Sequence, residues 1–285
     1  MGLTGLAAGL SAAFLAAGLC QDLKLTEYHL SSIKLRSGVC VRLLLLSDLH
    51  GKRWGIGQRR LLALAHRAAP DAVFMAGDMT DAGGDPEAAL ELARAFASDI
   101  PVCFVTGNHD LPAGDRTDLY RLMRKAGVTV LSNETVTIDI GKERLRVSGL
   151  CDPGTYERLN REHPKQTYLQ CLDGLKPLDS RYFNLLVAHR PEYIDAYEQA
   201  GFDLALCGHT HGGVIRLPRP LNGLYASGQG LFPKYAAGLI GRNTLTAVIS
   251  RGLHAGPLRP RFFNRPEAVL VCVSGVINRI PSPSR

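Results

Sequence analysis

Five short stretches of this chain bring together side chains that can hold a metal ion. They are Asp48-Leu49-His50, Gly77-Asp78, Gly107-Asn108-His109-Asp110, the single His189, and Gly208-His209-Thr210-His211. Residues two apart in an extended segment project to the same side, so the His209 and His211 rings can reach into one pocket. The glycines beside them leave room for close approach. Mixed carboxylate, amide and imidazole donors suit borderline divalent ions such as manganese, iron or zinc better than calcium.

Each stretch follows an apolar run. Residues 41–46, 72–76, 102–105, 183–188 and 202–206 read as buried strands, and each ends where the donors begin. Asp48, Asp78 and Asn108 fall thirty positions apart, an interval that fits a strand, a helix and a return. The pattern predicts a layered α/β fold whose donors gather at one sheet edge.

These motifs, in this order over residues 43–213, resemble those of the calcineurin-like metallophosphoesterases. Gly149-Leu150-Cys151-Asp152-Pro153, His189-Arg190-Pro191-Glu192, Ser250-Arg251-Gly252-Leu253 and Asn264-Arg265-Pro266-Glu267 are similar to the bacterial, often membrane-associated branch of YkuE- and YaeI-like proteins. The resemblance implies a four-layer αββα sandwich and two divalent metal ions. It assigns Asp48, His50, Asp78 and His211 to one ion and Asp78, Asn108, His189 and His209 to the other, with Asp78 bridging. Two cations about 3.5 to 4 Å apart acidify a water, which becomes the nucleophile. The same likeness makes His109 the general acid for the leaving oxygen, with Asp110 orienting or charging it. Asp110 stands where the family commonly has glutamate. Arg190 and Arg251 are candidates for a phosphate clamp, or else fork donors to structural carboxylates.

Length and composition fit one catalytic domain. Of the 285 residues 46% are hydrophobic and 21% charged, which excludes a disordered chain. The net charge of +7 points to a phosphorylated substrate, an acidic membrane surface or nucleic acid, or simply to a solvated basic face. Seven cysteines without a Cys-x-x-Cys pair read as small core hydrophobes.

Residues 3–20 carry no charge. As a helix they would extend roughly 27 Å, close to the hydrocarbon thickness of about 30 Å. Three readings compete: a single membrane anchor, a secretory signal, or an apolar helix lying on the catalytic domain. No basic residue precedes Leu3, which weighs against a signal, and the anchor is the expectation. The division is then an apolar helix in 1–25 and a phosphoesterase domain in 26–285. Lys24, Lys34, Arg36 and Arg42 follow the apolar run and hint at a cytoplasmic body.

Residues 33–35 and 41–46 read as two strands joined through Ser37-Gly38 as a hairpin. Helices are expected over 59–69, closed by Pro70, and from Pro86 through Phe96, with a further stripe at Leu119, Leu122 and Met123. Short strands are expected at 128–131, 136–140 and 145–147, the last two turning at Gly141-Lys142. Residues 152–180 carry little signal and read as an insertion over the pocket or a plain connecting loop.

Asp81 is followed by Ala82 and Gly83, without the arginine that the protein phosphatases of this superfamily carry there, which disfavours a phosphoprotein substrate. No basic stretch is interleaved with aromatic residues, so no specific nucleic-acid partner is expected. A diester or diphosphate on a lipid or nucleotide-linked envelope precursor, such as the substrate of a UDP-diacylglucosamine pyrophosphatase, follows by analogy. A phosphomonoesterase or secreted nucleotidase, and a non-catalytic membrane-tethered scaffold retaining the fold, are the alternatives.

Overall fold

In the computed structural model, which describes residues 11–81, 84–110, 117–177, 179–216, 222–256 and 261–276, the apolar runs form two six-stranded sheets. The first has the order β1 (Lys24–Ser32), β14 (Glu267–Gly275), β2 (Cys40–Leu46), β3 (Ala72–Ala76), β4 (Val102–Val105) and β5 (Thr129–Val130). The second has the order β12 (Gly238–Gly241), β13 (Thr246–Ile249), β9 (Leu204–Cys207), β8 (Phe183–Ala188), β7 (Glu143–Leu150) and β6 (Glu134–Ile140). Strands β2 to β5 run parallel, as do β7, β8, β9 and β13. A small antiparallel pair, β10 (Tyr225–Ala226) and β11 (Gly230–Leu231), lies outside both sheets.

The alternation of side chains along each strand sorts the apolar runs into separate cores. In β2, Val41, Leu43 and Leu45 meet Leu185, Leu204 and Leu206 between the sheets. Leu44 and Leu46 point the other way, onto α1 (Arg59–Arg67), α2 (Glu87–Ala97) and α3 (Thr117–Lys125). The opposite face of the second sheet is covered by α4 (Gly154–Arg158), α5 (Pro164–Gly174) and α6 (Ile194–Ala200), through Tyr156, Tyr168, Leu172, Ile194 and Tyr197. Four layers result, helix, sheet, sheet, helix, because strands buried on both faces need two partners each.

Three expectations are corrected. The hairpin through Ser37-Gly38 does not form, because β14 inserts between the first two strands, parallel to β1 and antiparallel to β2. Residues 268–273 are wholly buried, so this strand belongs in the sheet interior and displaces the local pairing. Residues 152–180 are not a plain loop: they contain α4 and α5, whose buried tyrosines close the third core. The apolar run 3–20 lies partly outside the described residues. Its described part is helical over 11–18 and rests on the domain, Phe14 packing edge-on against Phe262 and Phe263 with ring centroids 5.9 and 4.9 Å away. Among the described residues no helix is long and apolar enough to cross a membrane, so the anchor finds no support there.

The seven cysteines are all free, and Cys103, Cys151, Cys207 and Cys272 are buried. His66 is exposed and packs on Phe96.

Candidate metal centre

The donors follow the carboxyl ends of parallel strands, three in the first sheet and two in the second. Asp48 and His50 follow β2, Asp78 follows β3, Asn108 follows β4, His189 follows β8, and His209 and His211 follow β9. Open α/β sheets place ligands at this edge because the strands end there and the loops splay apart. Here two such edges face each other across the central core.

Backbone hydrogen bonds lace the loops together. The Asp48 N–H donates to the Gly77 carbonyl (3.0 Å), His50 to Asp78 (3.0 Å) and Gly208 to His189 (3.1 Å). The His209 N–H donates to Asp48 Oδ1 at 3.0 Å, joining the two sheets directly. A Cβ at Gly208 would lie 2.6 Å from Asp48 Oδ2, so this junction needs glycine. Asp48, His50, Asp78, His209 and His211 all have positive φ, between 47° and 72°. Such backbone costs on the order of 1 kcal/mol or more per residue and persists only where its surroundings hold it.

Among the donors that the motifs name two groups emerge, and His50 also groups with Asp81 and His109 at the mouth. Asp48, His50 and His211 form one, and Asp78, His189 and His209 the other. Asp78 faces both, its Oδ2 lying 3.2 Å from His189 Nε2 and 3.8 Å from His50 Nε2. Imidazole nitrogens confront each other within each group: His50 Nε2 and His211 Nε2 at 3.3 Å, His189 Nε2 and His209 Nδ1 at 3.2 Å. The far nitrogen of His189 is 2.8 Å from the Ala76 carbonyl, and that of His50 is 2.7 Å from Asp81 Oδ1. Both contacts orient the inner nitrogen towards the centre, as outer partners do around metal-bound histidines. Asn108 Oδ1 is buried with no hydrogen-bond partner among the described residues, the condition of a carbonyl oxygen that a cation would satisfy. The residues present therefore fit a pair of divalent ions.

Electrostatics divide the groups further. Burial by itself raises the Asp78 carboxyl, but the charge and hydrogen bond of His189, the charge of His50 and the His109 N–H together outweigh this and hold it below the usual carboxylate range. Burial likewise lowers His189, and Asp78 reverses the balance, pushing it up to about 10. His209 and His211 are driven well below the usual histidine range by burial, reinforced by His189 for the first and Arg261 for the second. They are neutral, with lone pairs available to a cation. Asp48 is shifted upwards by burial against the opposing charge of His189.

The residues around the two groups differ from expectation. None of the described contacts of the Asp110 carboxylate reaches the His109 ring. Asp110 Oδ1 accepts from the Thr80 N–H (2.9 Å) and hydroxyl (3.3 Å), and its Oδ2 from the Gly107 N–H (2.9 Å), tying the loops after β3 and β4 together. Burial and the Asp78 charge push its carboxyl up to about 7, against those backbone bonds. The carboxylate beside His109 is Asp81, whose Oδ1 lies 3.3 Å from His109 Nδ1 and also contacts His50. Its position three residues after Asp78 was the available signal. The His109 N–H donates to Asp78 Oδ1 (2.7 Å), and its side chain remains 38% exposed at the mouth of the site.

Neither arginine is a simple phosphate clamp. The Arg190 fork is spent on buried Asp152, with Nε to Oδ2 at 2.6 Å and Nη2 to Oδ1 at 3.1 Å, while Nη1 faces His209 Nε2 at 3.1 Å. Arg251 leans on the fully buried Glu267, which accepts from its N–H at 3.1 Å and lies 3.7 Å from its Nε. The cation nearest the first donor group is instead Arg261, buried, with Nη2 3.2 Å from His211 Nδ1 and Nη1 donating to the Arg251 carbonyl at 2.6 Å. Its place in an arginine-rich tail carried no pointer to this role.

The chain is similar in sequence to known proteins. The family model described as calcineurin-like phosphoesterase matches residues 41–213, which span every donor named above. The chain is 31% identical over 258 residues to the uncharacterized protein YpbG of Bacillus subtilis (strain 168), covering 90% of this chain and 92% of that one. It is 28% identical over 186 residues to the phosphodiesterase YaeI of Escherichia coli (strain K12), covering 62% and 63%. Among solved structures, the phosphopantetheinyl hydrolase of Mycobacterium tuberculosis aligns over 87% of this chain and 99% of its own, with 16% identity and a TM-score of 0.49. With its motifs in order and more than half of its length matched by the family model, this chain belongs to the calcineurin-like phosphoesterases.

Proposed function

We propose that the protein is a dinuclear-metal-dependent phosphodiesterase or diphosphate hydrolase, within the metal-dependent phosphoester hydrolases to which its family assigns it. The observation that carries this reading is Asp78, one carboxylate facing two complete donor groups. Divalent ions there would neutralise phosphoryl charge and acidify a water near neutral pH. Asp48, His50 and His211 would hold one ion, Asn108, His189 and His209 the other, and Asp78 both. His109, at the mouth and braced by Asp81, is placed to deliver a proton to the leaving oxygen. Asp81 also keeps the His50 ring turned inwards, so one carboxylate serves the acid and a ligand.

A diester or diphosphate is favoured over a phosphoprotein by the absence of an arginine at position 82, and the phosphodiesterase name of the relative YaeI supports the same class. A nucleoside-diphosphate-linked acylated sugar is the finer reading. The decisive assay compares bis-p-nitrophenyl phosphate, p-nitrophenyl phosphate and UDP-diacylglucosamine, with manganese, iron or zinc and with chelator. Metal-dependent turnover of the diester or the diphosphate is expected. Turnover of the monoester alone supports a nucleotidase, and no metal-dependent turnover of any supports a scaffold. Membrane association through residues 3–20 is part of the same reading, by contact and not by a described span: Phe14, Leu15 and Leu19, more than half exposed on the amino-terminal helix and its end, would be the apolar surface involved. Fractionation of cells expressing the chain with and without residues 1–20 tests it.

A further inference from the structure

The loop that carries His211 concentrates backbone strain. His211, Gly212, Gly213 and Val214 have positive φ in succession, 47°, 65°, 76° and 60°. Glycine enters this region freely, but a histidine and a β-branched valine do not, so the two ends of the run need partners that hold them. Asn264 serves both ends. Its Nδ2 donates to the His211 carbonyl at 2.7 Å and to the Val214 carbonyl at 2.9 Å, and the residue is wholly buried. A Cβ at Gly212 would run into Asn264 Oδ1, so the loop is folded tightly over this amide. The backbone adds a bridge, the Arg216 N–H donating to the Phe262 carbonyl at 2.9 Å.

Residues 262–264 are held in turn by the amino-terminal helix. The Phe263 N–H donates to the Gly18 carbonyl at 2.7 Å, and Phe263 itself has a φ of 51°. Gly18 is buried, and a Cβ there would run into the Phe262 ring, so the helix comes this close only through glycine. The Phe14 ring lies edge-on to both phenylalanines. Beyond the helix, Arg265 Nε donates to the Asp22 carbonyl at 2.9 Å and fastens the same two segments again. Contacts therefore run unbroken from Phe14 and Gly18 through Phe262 and Phe263 to Asn264 and His211.

We propose that Asn264 is a positioning residue for His211 and that the amino-terminal helix is its brace, so that the seating of residues 11–18 on the domain sets the Asp48, His50 and His211 group. The other donor group stands outside this chain of contacts. His209 precedes the strained run, its N–H held by Asp48 and its ring facing Arg190, and among the described residues no hydrogen bond or ion pair joins Asp78, His189 or His209 to residues 261–264. The inference rests on the reading of His211 as a metal ligand, but not on which phosphoester is cleaved.

The test uses the full chain with Phe14→Ser or Gly18→Val, both remote from the donors, and Phe14→Tyr, which keeps the ring. Amide hydrogen exchange over residues 211–216 of the metal-free protein is read beside calorimetric titration with manganese. Phe14→Ser and Gly18→Val are each expected to speed exchange at Val214 and Arg216 at least about tenfold and to weaken manganese uptake at the His211 group about tenfold, the range typical of residues that orient metal ligands. Uptake at the His189 group should stay at the wild-type level, and Phe14→Tyr should behave as wild type in both measurements. Asn264→Asp, which removes the donating amide, should give the same selective loss, at least as large. Unchanged exchange and uptake in both helix variants overturn the proposal. Equal weakening at the two groups overturns it too, because a general loosening of the fold is then being read. A wild-type chain that takes up fewer than two manganese ions breaks the dinuclear reading instead, and the exchange at Val214 and Arg216 then decides the brace alone.

Discussion

The two donor groups differ in how their charge is balanced. Asp78, His189 and His209 are all buried, and Asp78 and His189 neutralise each other across 3.2 Å. In the other group His211 is 23% exposed at its side chain, Asp48 is shifted towards its neutral form, and the neighbouring cation is Arg261 rather than a histidine. A cation entering the deeper group must displace the His189 proton, whereas in the shallower group His211 is driven towards its neutral form by burial and Asp48 is shifted towards its protonated one. Their likeness in residue type therefore hides different binding equilibria, and Asp78, common to both, couples them.

The comparison breaks most severely at Asp78. Asp78→Asn is expected to lower metal content at both groups and to reduce turnover about 10,000-fold or more, equivalent to roughly 5 kcal/mol or more of barrier. His209→Ala should abolish phosphodiester hydrolysis, while His211→Ala should retain one ion per chain by metal analysis. Loss of both ions from His211→Ala would show that the groups do not fill separately. His109→Ala should keep both ions yet lose about 100-fold or more on substrates with poor leaving groups, with little change for p-nitrophenolate. Asp81→Asn touches both His50 and His109, so a loss of about tenfold in turnover is expected together with weakened uptake at the shallower group, a split that a purely structural role does not produce.

The proton balance gives a finer test. Because His189 is pushed up to about 10 in the metal-free chain, it holds a proton throughout the neutral range. Metal binding needs its lone pair, so uptake at the deeper group releases about one proton and weakens as pH falls, by about tenfold per unit below that value. Titrations in buffers of different ionisation enthalpy count the proton. Uptake at the deeper group with no proton released would falsify the His189 assignment. Smallest of all in turnover should be Asp110→Asn, which keeps an acceptor for one of the two loop N–H groups, Thr80 or Gly107, and turns an NH2 towards the other, so that its cost falls on stability. Turnover within about threefold of wild type is expected, because Asp110 does not touch His109.

The donors were legible because chemistry of this kind is written in short motifs. Asp48-x-His50, Gly77-Asp78 and His209-x-His211 each sit just past an apolar run, and strand ends are where such runs deliver their side chains. The thirty-residue rhythm likewise announced strand, helix and return. The place of β14 was not legible, since nothing local distinguishes a run that pairs with its neighbour from one that crosses the whole chain to reach β1 and β2. The helices in 152–180 escaped notice because their buried face is built from Tyr156 and Tyr168 rather than an aliphatic stripe.

Residue types and spacing by themselves determined the class of fold, the strand edge and which donor side chains gather at it, because periodicity and donor chemistry are local properties. Only the tertiary structure decided which carboxylate faces His109, Asp81 and not Asp110, and that Arg190 and Arg251 are held by Asp152 and Glu267. Those pairings join residues tens of positions apart or separated by a sharp turn. Adjacency in the chain says nothing about direction in space once the backbone turns back on itself.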